Sequence, residues 1–348
     1  MAARRKSPSA AASAPGTAKV YLVVMPGVLM LDLAGIAEPL RLANGLSMER
    51  GLPAPFELHV VACMPDVRGS LPLMVAGLEP LPERLTATQG EDWIIVVGVA
   101  TKRDVSPTQF KAAHRATVNW LKGIVRPALD ARSARLLTVC SGALLAADAG
   151  LLDGRQCTTH HGLTDDLRRN HPKVEVLEDR IFVQDGNVAT SAGITAGIDL
   201  ALAAIAEHCG QVIASEVARD MVVYWRRAGG DPQLSPLVAH RNHLHPAVHR
   251  AQQAVLAQPR SAWDVDRIAE AAHVSSRHMR RLFVEHAGIT PLAYVNNVRV
   301  AMARQLLASR RMSVESVAEE VGFASARQLR DAWRKVGGDS PRDVKLKG

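Results

Sequence analysis

DVDRIAEAAHVSSRHMRRLFVEHAGITP, residues 264–291, decides how this chain is read, because SVESVAEEVGFASARQLRDAWRKVGGDSP, residues 313–341, repeats it. Val265 matches Val314, Ala269 matches Ala318 and Glu270 matches Glu319. After one inserted residue, Met279 matches Leu329, Phe283 matches Trp333, Gly288 matches Gly338 and Pro291 matches Pro341. In the first copy Val265, Ile268, Ala269 and Ala272 recur at i, i+3, i+4 and i+7, the stripe of an amphipathic helix. His273 occupies a turn, Ser275 or Ser276 can cap a second helix, and Met279, Leu282 and Phe283 give that helix a face to bury. Its other face carries Ser276, Arg277, His278, Arg280 and Arg281. In the second copy Gly322 makes the turn, Ser325 is the cap candidate, and Arg327, Gln328 and Arg330 lie outward. Two helices joined by a tight turn, the second basic and polar on its free side, suit a DNA major groove.

Between the copies, residues 292–307 (LAYVNNVRVAMARQLL) read as one long connecting helix. Two units on one face of a duplex sit about one helical turn, ~34 Å, apart. Arg and Gln then pair with guanine and adenine edges, while other basic side chains neutralise phosphates. The bland alternative is a helical bundle with a solvated basic face. Tandem copies, each ending in Gly-x-Ser/Thr-Pro, favour double-stranded DNA as the partner.

Charge points the same way. Residues 246–348 hold 17 Lys and Arg against 10 Asp and Glu, whereas residues 1–245 hold 25 against 24. A basic excess confined to one end implies a polyanion for that end alone. With 47% apolar and 22% charged residues the chain reads as globular, and no apolar run nears the ~18 residues of a membrane span. Residues 1–18 are Ala/Ser/Pro-rich with Arg4, Arg5 and Lys6 but carry no apolar core, so they read as a disordered basic tail rather than a secretory signal. Cys63, Cys140, Cys157 and Cys209 form no C-x-x-C pair, which argues against a disulfide framework or zinc site and for reduced thiols in the cytoplasm.

Residues 19–227 alternate apolar runs with amphipathic stretches. Runs at 20–25, 56–63, 93–98 and 135–140 read as strands, and 34–47, 107–129 and 142–149 as helices. This pattern predicts an α/β domain with a parallel sheet covered on both faces. Further strands are expected at 156–160, 174–177, 181–184 and 187–190, with a hairpin turn at Asp185-Gly186-Asn187, then helices at 196–208 and 211–227. Gly229, Gly230, Pro232, Pro236 and Pro246 break the texture, so 228–245 is the expected linker and 246–348 the DNA-binding domain. His240, His243, His245 and His249 lie in or beside that linker; a breaker-rich segment gives them no rigid ligand geometry, and neither metal nor cofactor is expected.

Cys140 ends the run RLLTV and opens Cys-Ser-Gly-Ala before a helix. A residue on such an elbow can be a nucleophile, with the helix N-terminus lowering its thiol pKa. The same elbow can offer backbone N–H groups to a ligand, or serve only as a small buried turn.

Residues 264–342 resemble the AraC/XylS family of bacterial regulators, through the Ile268-Ala269 and Val317-Ala318 core pairs, Gly322-Phe323 and the Gly338-Asp339-Ser340-Pro341 ending. Val344 stands where the family has an aromatic. The resemblance implies promoter binding, often with activation, through two recognition helices per chain. Residues 19–210 resemble the ThiJ/PfpI (class I glutamine amidotransferase-like) superfamily, through VMPGVLMLDLAGIAEPL (24–40), TVCSGALLAADAGLLDGR (138–155), TTHH (158–161) and TSAGITAGIDLAL (190–202). It implies a flavodoxin-like three-layer sandwich with a pocket near the elbow. Asp32 matches the acidic residue that approaches the elbow cysteine in family enzymes, and His160 follows the next strand. Proteolytic members place a histidine directly after that cysteine; here it is Ser141.

The two parts in this order, joined by Arg226-Arg227-Ala228-Gly229-Gly230, resemble the GlxA-type regulators, which respond to nitrogenous metabolites such as arginine, carnitine or glycine betaine. The expectation is a non-enzymatic, DNA-binding regulator, an activator controlled by a small effector at Asp32, Cys140, Ser141, His160, Gly193, Ile194 and Thr195. A homodimer, contact with RNA polymerase and a place on the nucleoid belong to the same expectation. The alternative is a Cys-dependent hydrolase or amidase, or a redox sensor, using Cys140.

Overall fold

The computed structural model describes residues 16–85, 91–100, 106–223, 227–231, 233, 240, 243–309, 312–337 and 340–341. The basic tail to residue 15, Arg226, Pro232, Pro236, Gly338, Asp339 and Val344 lie outside them. The chain divides into two compact units, Met1–Gly229 and Gly230–Gly348.

The N-terminal unit is built on a seven-stranded sheet. Its strands are β1 (Ala18–Val23), β2 (Phe56–Ala62), β5 (Glu79–Pro80), β6 (Asp92–Val96), β7 (Ala134–Val139), β10 (Phe182–Asp185) and β11 (Val188–Ser191). Two small pairs, β3 (Asp66–Arg68) with β4 (Met74–Ala76) and β8 (Gln156–Cys157) with β9 (Glu175–Val176), stand apart from it. Strand order is β10-β11-β7-β6-β1-β2-β5, all parallel except the β10–β11 hairpin, which turns at Gly186. Counting only the long parallel strands, the order is second, first, third, fourth, fifth, the flavodoxin-like arrangement.

Period-two alternation explains why both faces are covered. Val20, Leu22 and Val24 enter one core with Ile36 and Leu40 of α1 (Met30–Glu49), Leu200 and Ile205 of α6 (Thr195–Cys209), and Val217 of α7 (Gln211–Asp220). Tyr21, Val23 and Met25 enter the other with Val118 of α2 (Pro107–Trp120), Leu129 of α3 (Arg126–Asp130) and Ala146 of α4 (Gly142–Asp148). A π turn at Leu121–Val125 joins α2 to α3 where a single helix is expected. The short helix α5 (Thr164–Asn170) completes the unit. Two expectations change. The second late helix stops at Asp220, because Val222 adopts a left-handed φ of 54° that α-helix cannot continue. The strand expected over 156–160 spans only Gln156–Cys157, since Thr158 and Thr159 turn their bonds to Thr190 and Cys140.

The C-terminal unit is all helical: α8 (Pro246–Ala257), α9 (Val265–Ala271), α10 (Ser276–Leu282), α11 (Pro291–Ser309), α12 (Val314–Glu320) and α13 (Ala326–Val336). Two small cores are strung on α11. Its first half gives Tyr294, Val295 and Val298 to a core with Val248, Ile268, Met279 and Phe283. Its second half gives Val300, Ala303 and Leu307 to a core with Val317, Val321, Leu329 and Trp333. The turn of the first copy is His273 at φ 57°, that of the second Gly322 at φ 93°. Only glycine fits the second turn, since a Cβ on Gly322 would lie 2.9 Å from the Arg260 backbone.

Two buried arginines tie these cores to α11. Arg299 donates to the Pro259 and Ser261 carbonyls at 2.9 and 2.6 Å and lies 5.6 Å from the Phe323 ring. Arg304 donates to the Gly337 carbonyl, closing the end of α13, and lies 5.1 Å from the Trp333 ring. Arg299→Met keeps the volume but leaves two carbonyls without their donor, an expected loss of about 2 kcal/mol. Chemical denaturation of the full chain, followed through the helical signal, reads that loss, and an unchanged midpoint refutes it.

Candidate functional site

Ligands of doubly wound sheets bind outside the carboxyl ends of the strands, where strand order reverses. Four loops meet there in the N-terminal unit, following β1, β6, β7 and β11, which are neighbours in the sheet. They bring Asp32, Gly98, Cys140 and Gly193-Ile194 together from across the sequence.

Asp32 is 0% exposed. Its Oδ1 accepts the Ile194 backbone N–H at 2.6 Å. Its Oδ2 faces the Cys140 thiol and the Gly98 backbone without a well-directed hydrogen bond. Burial raises the Asp32 pKa, and the Ile194 N–H opposes that rise. Cys140 sits on the elbow with φ 56°, and Ile194 faces Asp32 with φ 51°. Each is a non-glycine residue held left-handed, at a strain of roughly 1–3 kcal/mol. Gly193, at φ 87°, packs directly on the elbow: a Cβ there would lie 2.7 Å from Cys140 Cα and 2.9 Å from its sulfur. Ile194, by contrast, is 41% exposed.

The thiol does not have the chemistry its elbow suggests. A helix N-terminus is expected to lower the Cys140 pKa, but burial dominates, the Asp32 charge adds to it, and the value is pushed up to about 12. Near pH 7 the group is a neutral thiol.

The remaining expected ligand residues have polar atoms bonded within the protein. Ser141 Oγ accepts from Val99 N at 2.8 Å and donates to Val99 O at 3.1 Å, clamping the elbow to the loop after β6. His160 accepts the Gly162 N–H on Nδ1 at 3.2 Å, so that nitrogen caps its own turn, and its ring lies tilted 34° to that of His161 with centroids 4.2 Å apart. Its neighbour Thr159 donates to the Cys140 carbonyl at 2.8 Å, a bond the sequence did not signal. Thr195 turns to Arg227, whose Nη2 reaches its Oγ1 at 2.9 Å. Arg227 also holds Asp199 of α6, through Nε at 2.8 Å, Nη2 at 2.6 Å and its backbone N–H at 2.9 Å. The loop after β11 is thereby tied to the last residues of the unit. A separate shallow recess lies at the opposite end of β7, among Arg135, Gln184, Asn187 and Glu207. The Arg135–Glu207 ion pair, 2.5 Å, spans it, and it is remote from the elbow in the sheet.

In the C-terminal unit each helix of the repeat is capped by its own sequence. Asp264 and Ser313 accept from Arg267 N and Ser316 N, opening α9 and α12. Ser275 and Ser325 accept from His278 N and Gln328 N, opening α10 and α13. Ser275, not Ser276, is therefore the cap of α10, and Ser276 bonds the Asp266 carboxylate. Arg277, Arg280, Arg281, Ser325, Arg327, Gln328 and Arg330 are exposed; Ser276 and His278 are half-buried. Among the described residues no group of His, Cys, Asp and Glu has the geometry to hold a metal ion, and no helix is long and apolar enough to cross a membrane. His243 and His249 lie with rings 4.9 Å apart, and His240 Nδ1 bonds the Ala287 carbonyl at 3.0 Å.

A flavodoxin-like α/β unit joined to a tandem helix-turn-helix unit defines a DNA-binding protein with an appended sensor-type domain. Comparisons with known proteins agree. The Helix-turn-helix domain family matches residues 268–346 and the DJ-1/PfpI family residues 111–207. The HTH-type transcriptional regulator GbdR of Pseudomonas aeruginosa is 30% identical over 93% of this chain and 83% of its own. The regulator CdhR of the same species is 28% identical over 92% and 89%. The regulator GlxA of Rhizobium meliloti is 32% identical over 61% and 65%. The chain belongs to this family of HTH-type transcriptional regulators with a DJ-1/PfpI-like N-terminal domain. It is a DNA-binding transcription regulator, and its relatives are regulators rather than enzymes.

Proposed function

We propose that this regulator is an activator controlled by a small nitrogenous metabolite, bound at the carboxyl ends of β1, β6, β7 and β11 against Asp32, Cys140, Gly193 and Ile194. The observation that carries the DNA-binding half is the pair of serine-capped helices, α10 and α13, with their arginines exposed. We assign duplex contact to Ser276, Arg277, His278, Arg280 and Arg281 on the first and Ser325, Arg327, Gln328 and Arg330 on the second. The buried Asp32 carboxylate supports a ligand carrying N–H donors or positive charge. Ser141, His160 and Thr195 then frame the site from outside its inner wall.

Effector binding acts by shifting an existing equilibrium. The Arg227 bonds to Thr195 and Asp199 offer a route from the Gly193-Ile194-Thr195 loop to the last residues of the sensor unit. The active form is a homodimer on promoter DNA that contacts RNA polymerase, in the cytoplasm and on the nucleoid. The apolar hairpin tip, with Leu71, Leu73 and Met74 each more than half exposed, is the kind of surface that association buries.

Genome-wide mapping of bound DNA tests the reading. Discrete sites whose occupancy changes with growth on nitrogenous compounds are expected; uniform, sequence-independent occupancy refutes regulation. Cys140→Ala separates this from catalysis. Because the thiol stays protonated near pH 7, the variant is expected to retain DNA occupancy, and the parent to resist iodoacetamide at Cys140. Rapid alkylation there, or loss of effector-free DNA binding with the sulfur, counts against the assignment.

A further inference from the structure

The two helix-turn-helix copies carry the same fold but not the same electrostatics. The central core positions of the repeat are matched: Ala269 with Ala318, Met279 with Leu329, Phe283 with Trp333. Several paired positions on the polar side differ, among them Arg281 against Asp331, and two of them govern the contact made by the last arginine pair. Asp266 of α9 corresponds to Glu315 of α12, and Ser276 of α10 to Ala326 of α13.

In the first copy Asp266 is short and takes its hydrogen bond from the Ser276 hydroxyl at the start of α10. Arg277 and Arg280 remain exposed, and no ion pair reaches either of them among the described residues. In the second copy Ala326 has no hydroxyl to offer, and Glu315 is one methylene longer. Its Oε1 reaches past Ala326 to Arg330 Nη2 at 3.2 Å. Arg330 is the counterpart of Arg280. Gln328, in the same helix, spends its Oε1 on the backbone N–H of Ala324, the inserted residue, at 3.2 Å.

We propose that Glu315 competes with DNA for Arg330, so that the first copy anchors the duplex and the second engages only where the DNA displaces that carboxylate. This rests on the assignment of α10 and α13 as the duplex-facing helices. The chemistry sets the scale. Both partners are largely exposed, at 53% and 68%. An exposed pair shifts an equilibrium by roughly two- to five-fold, so a well-placed phosphate or guanine can break it and a poorly placed one cannot. Glu315 thus makes the second copy selective without blocking it. Arg277 and Arg280 of the first copy have, among the described residues, no ion pair to give up.

The test uses the full chain and a labelled mixed-sequence duplex long enough for two adjacent major-groove sites, with affinity measured across a salt series. Glu315→Gln is expected to tighten binding roughly two- to five-fold and to steepen the dependence of log affinity on log salt by about one. The gain should vanish when Arg330→Ala is present. Arg280→Ala should weaken binding more than Arg330→Ala does. If Glu315→Gln is silent, or tightens binding equally without Arg330, competition is refuted while the duplex-facing assignment stands on the Arg280→Ala loss. If neither arginine variant weakens binding, the assignment itself falls.

Discussion

Replacing Arg277 and Arg280 together with alanine is expected to weaken duplex binding by about two orders of magnitude, or ~3 kcal/mol. Both side chains are exposed on α10, and neither is held by a carboxylate among the described residues. They meet DNA without first breaking an internal bond, so nearly all of their interaction counts toward affinity. The slope of log affinity against log salt should fall by about two, one for each guanidinium that no longer displaces a counterion from the duplex. Stability should move by less than about 0.5 kcal/mol, since both side chains are exposed. Anisotropy of a labelled duplex across a salt series measures both quantities. Full affinity with an unchanged slope removes α10 from the interface.

Gly193→Ala should have the largest effect in the sensor unit. Alanine at φ 87° meets the backbone penalty of a left-handed residue, about 1–2 kcal/mol. Its methyl also runs into the Cys140 elbow, which cannot retreat: Cys140 N–H is bonded to Ser191 O at 3.1 Å, and Ser141 is clamped to Val99 on both sides. Overpacking of this kind adds about 1–3 kcal/mol. At roughly 2–4 °C per kcal/mol for a unit of this size, the sensor unit should melt roughly 5–15 °C lower. The helix-turn-helix cores contain no residue of this site, so duplex binding without effector should survive while the response to effector is lost. A melting point within a degree of the parent shows that the elbow has more room than these distances allow.

Much of the fold was legible because each element answers to local rules. The apolar runs at 20–25, 56–63, 93–98 and 135–140 overlap β1, β2, β6 and β7 with their ends displaced by one or two residues. The stripe Val265, Ile268, Ala269, Ala272 is buried as its spacing requires. The β3–β4 hairpin was not legible, since three-residue strands with exposed ends carry no period to read. Nor was the end of α7, where Val222 takes a conformation that its β-branched side chain disfavours.

The sensor site was half legible for a different reason. Asp32, Cys140 and Gly193 each have a local signature, or a family one, and strand order brings them together. Gly98, Thr159 and the Asp199–Arg227 clamp have none; they matter only because neighbouring strands deliver them to one spot. Ser141 and His160 are suggested only by their positions along the chain. Their polar atoms instead satisfy Val99 and Gly162, a choice settled by which backbone groups lie within reach.

The connecting helix α11 is shared by two cores and pinned by two buried arginines. Its 19 residues make a strut about 28 Å long. A strut does not stretch, so with α10 and α13 both on the duplex, as proposed, the protein measures phase along the DNA as well as reading letters. Adding about five base pairs between the two recognised blocks turns the second to the far side of the duplex, beyond reach of the same molecule. Where both copies engage as proposed, a promoter can drift in many of its bases but not in the distance between the two blocks.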